Sequence, residues 1–270
     1  MLVDSHCHLD GAVFEADREE VIARARQAGV SYMLAIGTGD GPPDLEAAVR
    51  IADRHEDIAA TVGVHPHDAG KFEAAAERIE ALCRHPKVVA VGEIGLDYHY
   101  DTPPREIQKR AFVRQMEIAA RCSLPISIHT RDAWDDTLEL LGSHWAGKGI
   151  GGVMHCFTGD AARALRCLEM GFLLSFSGVL TFARSEDLRA TARWAPLDRI
   201  LLETDAPYLT PAPYRKIRRN EPKFVVETAR VLARVKGLDF EEVARQTSAN
   251  FRGLFNIAGR APGSYAISAT

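Results

Sequence analysis

Apolar positions along the chain fall into two rhythms. Short runs of β-branched and aliphatic residues begin at Leu2, Val30, Ile58, Val88, Pro125, Ile150, Phe172 and Arg199. Between them apolar residues return every three or four positions, the spacing of a helix with one buried face. These stretches predict helices over residues 15–27, 44–54, 73–84, 104–121, 133–141, 161–170 and 186–194, with two more over 222–236 and 240–255. The Pro103-Pro104 pair suits the start of the fourth helix, and Gly29 and Gly171 suit the positions just past the ends of the first and sixth.

Eight strands alternating with helices leave two topologies, a closed barrel or a doubly wound open sheet. An open sheet gathers its site at one switch point, usually after a glycine-rich turn behind the first strand. Here the first strand ends in His6-Cys7-His8 and no GxGxxG follows. Polar residues instead terminate strands one, three, four, five, six and eight, and only a ring brings all those ends to one rim. The expectation is therefore an α/β fold, a single (β/α)8 TIM barrel with an extra C-terminal helix, its chemistry at the C-terminal rim. Residues 1–257 form the barrel domain, and 258–270, small and polar from Ala258, form a loosely ordered tail.

Composition narrows the class. The 270 residues are 46% hydrophobic and 26% charged, ordinary for one globular domain. No apolar segment approaches a membrane span and no signal-peptide pattern opens the chain, so the default location is cytoplasmic. Cys7, Cys83, Cys122, Cys156 and Cys167 are scattered and form no CxxC pair, which suits free thiols. A net charge of −4 gives no general attraction for nucleic acid, so a polyanionic substrate needs a local patch.

The strand ends supply the candidate chemistry. Strand alternation points His6 and His8 the same way and Cys7 the other. Asp4 shares their parity one layer below, placed to accept the second N–H of a ligand histidine. The fourth apolar run closes on Gly92-Glu93, the fifth on His129, the sixth on His155 and the eighth on Asp205. A buried carboxylate needs partners. Four histidines and two carboxylates on one rim point to metal. Six ligands exceed one tetrahedral site, so two divalent ions are expected: Glu93 between them, His6, His8 and Asp205 on one, His129 and His155 on the other. Zinc, manganese and magnesium all remain open, magnesium preferring more oxygen ligands. His55, His85, His99 and His144 fall in helices or loops, where solvated roles suffice.

The segments DSHCHLD from Asp4, GVHPH from Gly63, GEIGLDY from Gly92, IHTRDA from Ile128, HCFTG from His155 and ETDAPYL from Glu203 resemble, in order and spacing, the TatD family of metal-dependent hydrolases. The resemblance runs from Asp4 to about Pro222. It implies an amidohydrolase-type barrel, divalent-metal-dependent deoxyribonuclease activity of 3′ to 5′ exonuclease character, and ligands at His6, His8, Glu93, His129, His155 and Asp205. It also implies a glutamate, Glu93, where many related barrels carry a carbamylated lysine. One departure stands out: residues 211–222 read PAPYRKIRRNEP, without the family's glycine and one residue longer.

A metal-activated water attacking phosphorus is the corresponding reaction, with Glu93 and Asp205 as catalytic residues and Asp205 as general base. Glu203, one layer below, either supports Asp205 or makes an internal ion pair. His65 and His67, after the third strand, are candidates for holding phosphate or shuttling a proton. The loop Arg215, Lys216, Arg218, Arg219 and Lys223 places five cations within nine residues, with Arg215, Arg218 and Arg219 expected on substrate. Tyr98, Tyr100, Phe157, Phe182 and Tyr208 are candidates for base stacking. The expected partner is DNA or another nucleic-acid end, met by a monomer. The competing reading is deacylation of D-aminoacyl-tRNA, or another C–N or ester bond, by the same site.

Overall fold

A computed structural model describes residues 1–37 and 44–257. Among the described residues there are eight strands: β1 (Leu2–Cys7), β2 (Val30–Ala35), β3 (Ile58–Val62), β4 (Val88–Asp97), β5 (Ile126–Arg131), β6 (Gly152–Met154), β7 (Phe172–Phe176) and β8 (Ile200–Leu202). They lie side by side in chain order, every pair parallel. The helices between them are α1 (Arg18–Gln27), α2 (Ala47–Asp53), α3 (Phe72–Leu82), α4 (Arg105–Cys122), α5 (Trp134–His144), α6 (Ala161–Glu169) and α7 (Glu186–Trp194); α8 (Val225–Lys236) and α9 (Phe240–Leu254) follow β8. The expected tail from Ala258 lies outside the described residues. Among those residues no helix is long and apolar enough to cross a membrane.

The helix ends follow their punctuation. Gly29 (φ +91°) and Gly171 (φ +86°) turn the chain after α1 and α6 in the left-handed region, where a Cβ would be strained. The first helix starts later than its periodicity suggests, because residues Ala12–Phe14 form a separate 3-10 turn that buries Phe14. Pro222–Phe224 likewise makes a 3-10 turn before α8.

Two apolar layers result. Met33, Ala35, Ile58, Val62, Ile126, Ile128, Leu174 and Leu202 face the surrounding helices. Val3, Tyr32, Leu34, Ala59, Ala90, Val153, Leu173 and Leu201 fill the barrel interior, and Phe251 and Phe255 of α9 join them. α9 therefore plugs the N-terminal end, leaving the opposite rim open for polar groups.

Strict register is interrupted in β1, β2 and β4, and two of the shifts lie beside the site. In β1, Asp4 pairs with Met33 but Cys7 with Ala35, so β1 carries one extra residue between them. In β4, Val91 pairs with Ile126 but Ile94 with Ile128, an extra residue at Gly92-Glu93. Such bulges re-aim side chains. The fourth strand consequently does not stop at Glu93 but continues to Asp97. Close approach of β5 makes this possible: a Cβ on Gly92 would lie 2.6 Å from Ser127 Cβ, and one on Gly95 (φ +143°) 1.9 Å from the His129 carbonyl oxygen.

The ring closes between β1 and the segment after β8. The His8 N–H donates to Ala206 O at 2.8 Å and the Asp205 N–H to His6 O at 2.9 Å, and Cys7 and Ala206 form a parallel bridge. Asp4 completes this seam. Its carboxylate accepts from Thr204 N (2.9 Å), Thr204 Oγ1 (2.5 Å) and His6 N (3.3 Å). The expectation that Asp4 meets a ligand imidazole is thus corrected: it binds the His6 backbone, because the extra residue in β1 breaks the shared parity.

Asp4→Ala strands the buried Thr204 donors, each unmade bond costing about 1–3 kcal/mol. We expect a loss of about 2–4 kcal/mol in urea unfolding, with Asp4→Asn losing less because one acceptor survives.

Candidate metal centre

The barrel mouth is organised around Glu93, whose side chain is 3% exposed. Its Oε1 lies 2.8 Å from His129 Nδ1, 3.4 Å from His155 Nε2 and 3.8 Å from His65 Nε2. Its Oε2 lies 3.5 Å from His6 Nε2 and 3.7 Å from His8 Nε2. Asp205 stands opposite, with Oδ1 3.5 Å from His8 Nε2 and 3.8 Å from His6 Nε2. All six expected ligands converge. His6 stacks on His155 with ring centroids 3.5 Å apart.

His65 enters the same cluster, its ring centroid 4.7 Å from that of His129. Pro66 begins a 3-10 turn directly after it, which holds the imidazole at the rim. His67 sits outside this ring and pairs with Asp97 at 2.9 Å.

Asp97 was not singled out from the sequence. It is buried at the true end of β4, with Oδ2 3.1 Å from His129 Nε2. Its Oδ1 accepts from the His99 and Tyr100 amides, and Gln108 brackets its backbone. The readable signal was the apolar run Ile94-Gly95-Leu96, which continues past Glu93. Glu203 meets the second of its two expectations, an internal ion pair, since it turns toward His155 after the sixth strand. Its Oε1 lies 2.9 Å from His155 Nδ1 and accepts from the Cys156 N–H at 2.8 Å.

Electrostatics follow from burial and crowding. Burial alone would raise the Glu93 carboxyl, but the surrounding imidazoles of His155, His65, His129 and His6 hold it well below the usual carboxylate range. Asp205, opposed by the same burial, is lowered by a hydrogen bond from His8 and by the charges of His155 and His6. Burial disfavours charge on His155, yet Glu203 and Glu93 raise it from 6.5 to about 10. His129 rises to about 8 against burial through Asp97 and Glu93. His65 falls to about 3, chiefly by desolvation.

The donors suit a divalent cation. Ligand atoms of His6, His8 and Glu93 lie within 4.8 Å of one another, as do those of His65, Glu93 and His129, and those of His155, Cys156 and Asp205. Buried imidazoles and carboxylates at such spacing are a nitrogen–oxygen set for ions such as zinc or manganese.

The outer rim sorts the remaining candidates. Arg219 is committed to structure: it binds Asp17 and Glu221 and donates to Val13 O at 3.1 Å, in a network with Arg24. Lys223 pairs with Glu221 at 3.2 Å. Arg215 lies 3.7 Å over the Phe182 ring and donates to Thr210 O, which takes Phe182 out of the set available for stacking. Arg218 is exposed. Phe157 is buried, and Tyr98 is tied to Asp136 beneath Arg105. Tyr100 and Tyr208 are each 60% exposed, Tyr208 beside His8 and Tyr100 beside His67, with Arg131 5.2 Å over the Tyr100 ring, farther than Arg215 stands from Phe182.

A parallel eight-stranded barrel with histidines and carboxylates at its C-terminal rim defines the class of metal-dependent barrel hydrolases. Residues 3–256 match the family model of TatD-related DNases, and the chain belongs to that family. It is 42% identical over 258 residues to an uncharacterized metal-dependent hydrolase, YabD, of Bacillus subtilis, covering 95% of this chain and all (100%) of the relative. It is 40% identical over 261 residues to the 3′-5′ ssDNA/RNA exonuclease TatD of Klebsiella pneumoniae, covering 95% of this chain and 98% of that protein. The crystal structure of YjjV, a TatD homologue from Escherichia coli, superposes with a TM-score of 0.85 at 30% identity over 94% of this chain and 98% of that one. The protein is a metal-dependent hydrolase of this family.

These shifts carry a pH signature. A histidine raised in the fold stabilises it fully below its unfolded pKa and stops doing so as pH rises through the folded value. With His155 raised from 6.5 to about 10, the melting temperature of the metal-free protein should fall between those pH values. Metal affinity should rise over the same window, because the cation needs the neutral imidazole. Parallel melting and metal titrations across that range check this; a flat metal-free profile contradicts it. Separately, Arg219→Ala should lower melting temperature with unchanged KM, whereas Arg218→Ala should raise KM and reduce its salt dependence.

Proposed function

We propose that the protein is a nuclease that removes nucleotides from DNA ends in the 3′ to 5′ direction, using two divalent cations. The observation that carries this reading is the convergence of His6, His8, Glu93, His129, His155 and Asp205 on one buried centre. The name of the Klebsiella relative supports the substrate class. His6, His8 and Asp205 would hold one cation and His129 and His155 the other, with Glu93 between. Bound divalent cations lower the pKa of a water at neutral pH and neutralise charge on phosphoryl oxygens.

The chain's own groups do the rest. Asp205 is held as a carboxylate by His8, His155 and His6, so it accepts a proton from the attacking water. Its left-handed backbone (φ +56°) is pinned by donation to His6 O, which keeps that acceptor at a fixed place. His65, neutral at physiological pH, offers one ring nitrogen as a donor to a nonbridging phosphate oxygen.

Tyr208 and Tyr100 flank the centre on its two sides. Exposed rings there suit unpaired bases, since stacking contributes about 1–3 kcal/mol per base without reading sequence. Arg218 and Lys216, both exposed, supply local cations on an otherwise acidic chain.

Purified, metal-loaded protein should release nucleotides from single-stranded DNA. A variant carrying both Glu93→Ala and Asp205→Ala should be slower by roughly 10^3-fold or more. Equal rates for the two proteins would sink the proposal. Tyr100→Ala and Tyr208→Ala should each raise KM about tenfold while leaving kcat within a few-fold.

A further inference from the structure

The imidazoles around Glu93 are not equally supported. His129 turns Nδ1 toward Glu93 and has Asp97 Oδ2 3.1 Å from Nε2. His155 turns Nε2 toward Glu93 and has Glu203 Oε1 2.9 Å from Nδ1. Each ring thus lies between the central carboxylate and a second buried one. His6 differs: its Nε2 faces Glu93 and Asp205, and neither Asp97 nor Glu203 forms an ion pair with it.

Both outer carboxylates are themselves immobilised. Glu203 is buried and its Oε1 also takes the Cys156 amide, which fixes the left-handed turn (φ +42°) that follows His155. Asp97 accepts from the His99 and Tyr100 amides through one oxygen, leaving the other for His67 and His129. Rigid carboxylates on the far nitrogen set the tautomer and raise the basicity of a ligating imidazole, and losing one typically costs 10–100-fold in metal affinity.

We infer that Asp97 and Glu203 are positioning residues for one of the two cation positions, the one formed by His129 and His155, and not for the position formed by His6, His8 and Asp205. They select opposite tautomers, Nε2–H on His129 and Nδ1–H on His155, so that the nitrogens facing Glu93 both carry free lone pairs. This rests on the two-cation reading above.

The test is titration of metal-stripped protein with zinc against a competing chelator, for the parent, Asp97→Asn and Glu203→Gln. The parent should take two ions. Each variant should lose about 10–100-fold in one affinity and less than about threefold in the other. Two unchanged affinities, or equal weakening of both, would overturn the inference. Long-range 1H–15N spectra of the zinc-loaded parent give a second readout that does not depend on variant folding. Opposite tautomers at His129 and His155 support the inference, and identical ones refute it. A stoichiometry of one ion per chain would overturn the two-cation reading instead, while the tautomers still decide the role of Asp97 and Glu203.

Discussion

One buried carboxylate governs the architecture of the barrel mouth. Glu93 sits at the meeting point of five imidazoles, those of His6, His8, His65, His129 and His155. An isolated carboxylate could not remain ionised at such burial. It does so because positive or polarisable nitrogen surrounds it on both oxygens, and the barrel spends local regularity to achieve that. The extra residues in β1 and β4 fall at His6 and at Glu93, and the glycines at 92 and 95 let β5 come close enough to bring His129 to 2.8 Å. Regular strands would have delivered these side chains alternately to the interior and to the helices.

This explains what could be read from the sequence. Periodicity placed the eight strands and their helices, because a closed parallel barrel needs near-continuous apolar runs and its helices one buried stripe. The six convergent residues were legible because each ends an apolar run, and the rim gathers such ends. Asp97 was missed and Asp4 misplaced for a common reason. Parity counting assumes an uninterrupted alternation, and the bulges that build the site remove it. Arg219 illustrates a different limit. In sequence it is one cation of a basic run, and only packing against Asp17 and Glu221 separates it from its exposed neighbour Arg218.

The rim divides labour between rigid and open parts. Groups facing Glu93 stand on strands or within a few residues of their ends, where backbone hydrogen bonds fix them. The exposed rings Tyr100 and Tyr208 and the cation Arg218 stand in loops. With a charge of −4 overall, the chain gains little long-range attraction for a polyanion, so on the proposed function affinity would come from contacts beside the centre. At the loop 211–222, Arg219, Lys223 and Glu221 anchor the end while Arg215 covers Phe182.

The seam between β1 and β8 joins folding to chemistry. It is the shortest pairing in the ring, a single bridge at Cys7 and Ala206 with a few hydrogen bonds around it. One of those bonds joins the Asp205 N–H to His6 O and a second the His8 N–H to Ala206 O, and the side chains of His6, His8 and Asp205 face one another across the same junction. A cation held by these residues would therefore span the weakest closure of the barrel. Its binding free energy would add to folding stability there, since a ligand bound only by the native state stabilises that state by mass action. Asp4 performs the corresponding task from within, tying Thr204 to the His6 amide. The barrel closes where its chemistry is placed, so the backbone bonds that shut the ring also set the distance between His8 and Asp205.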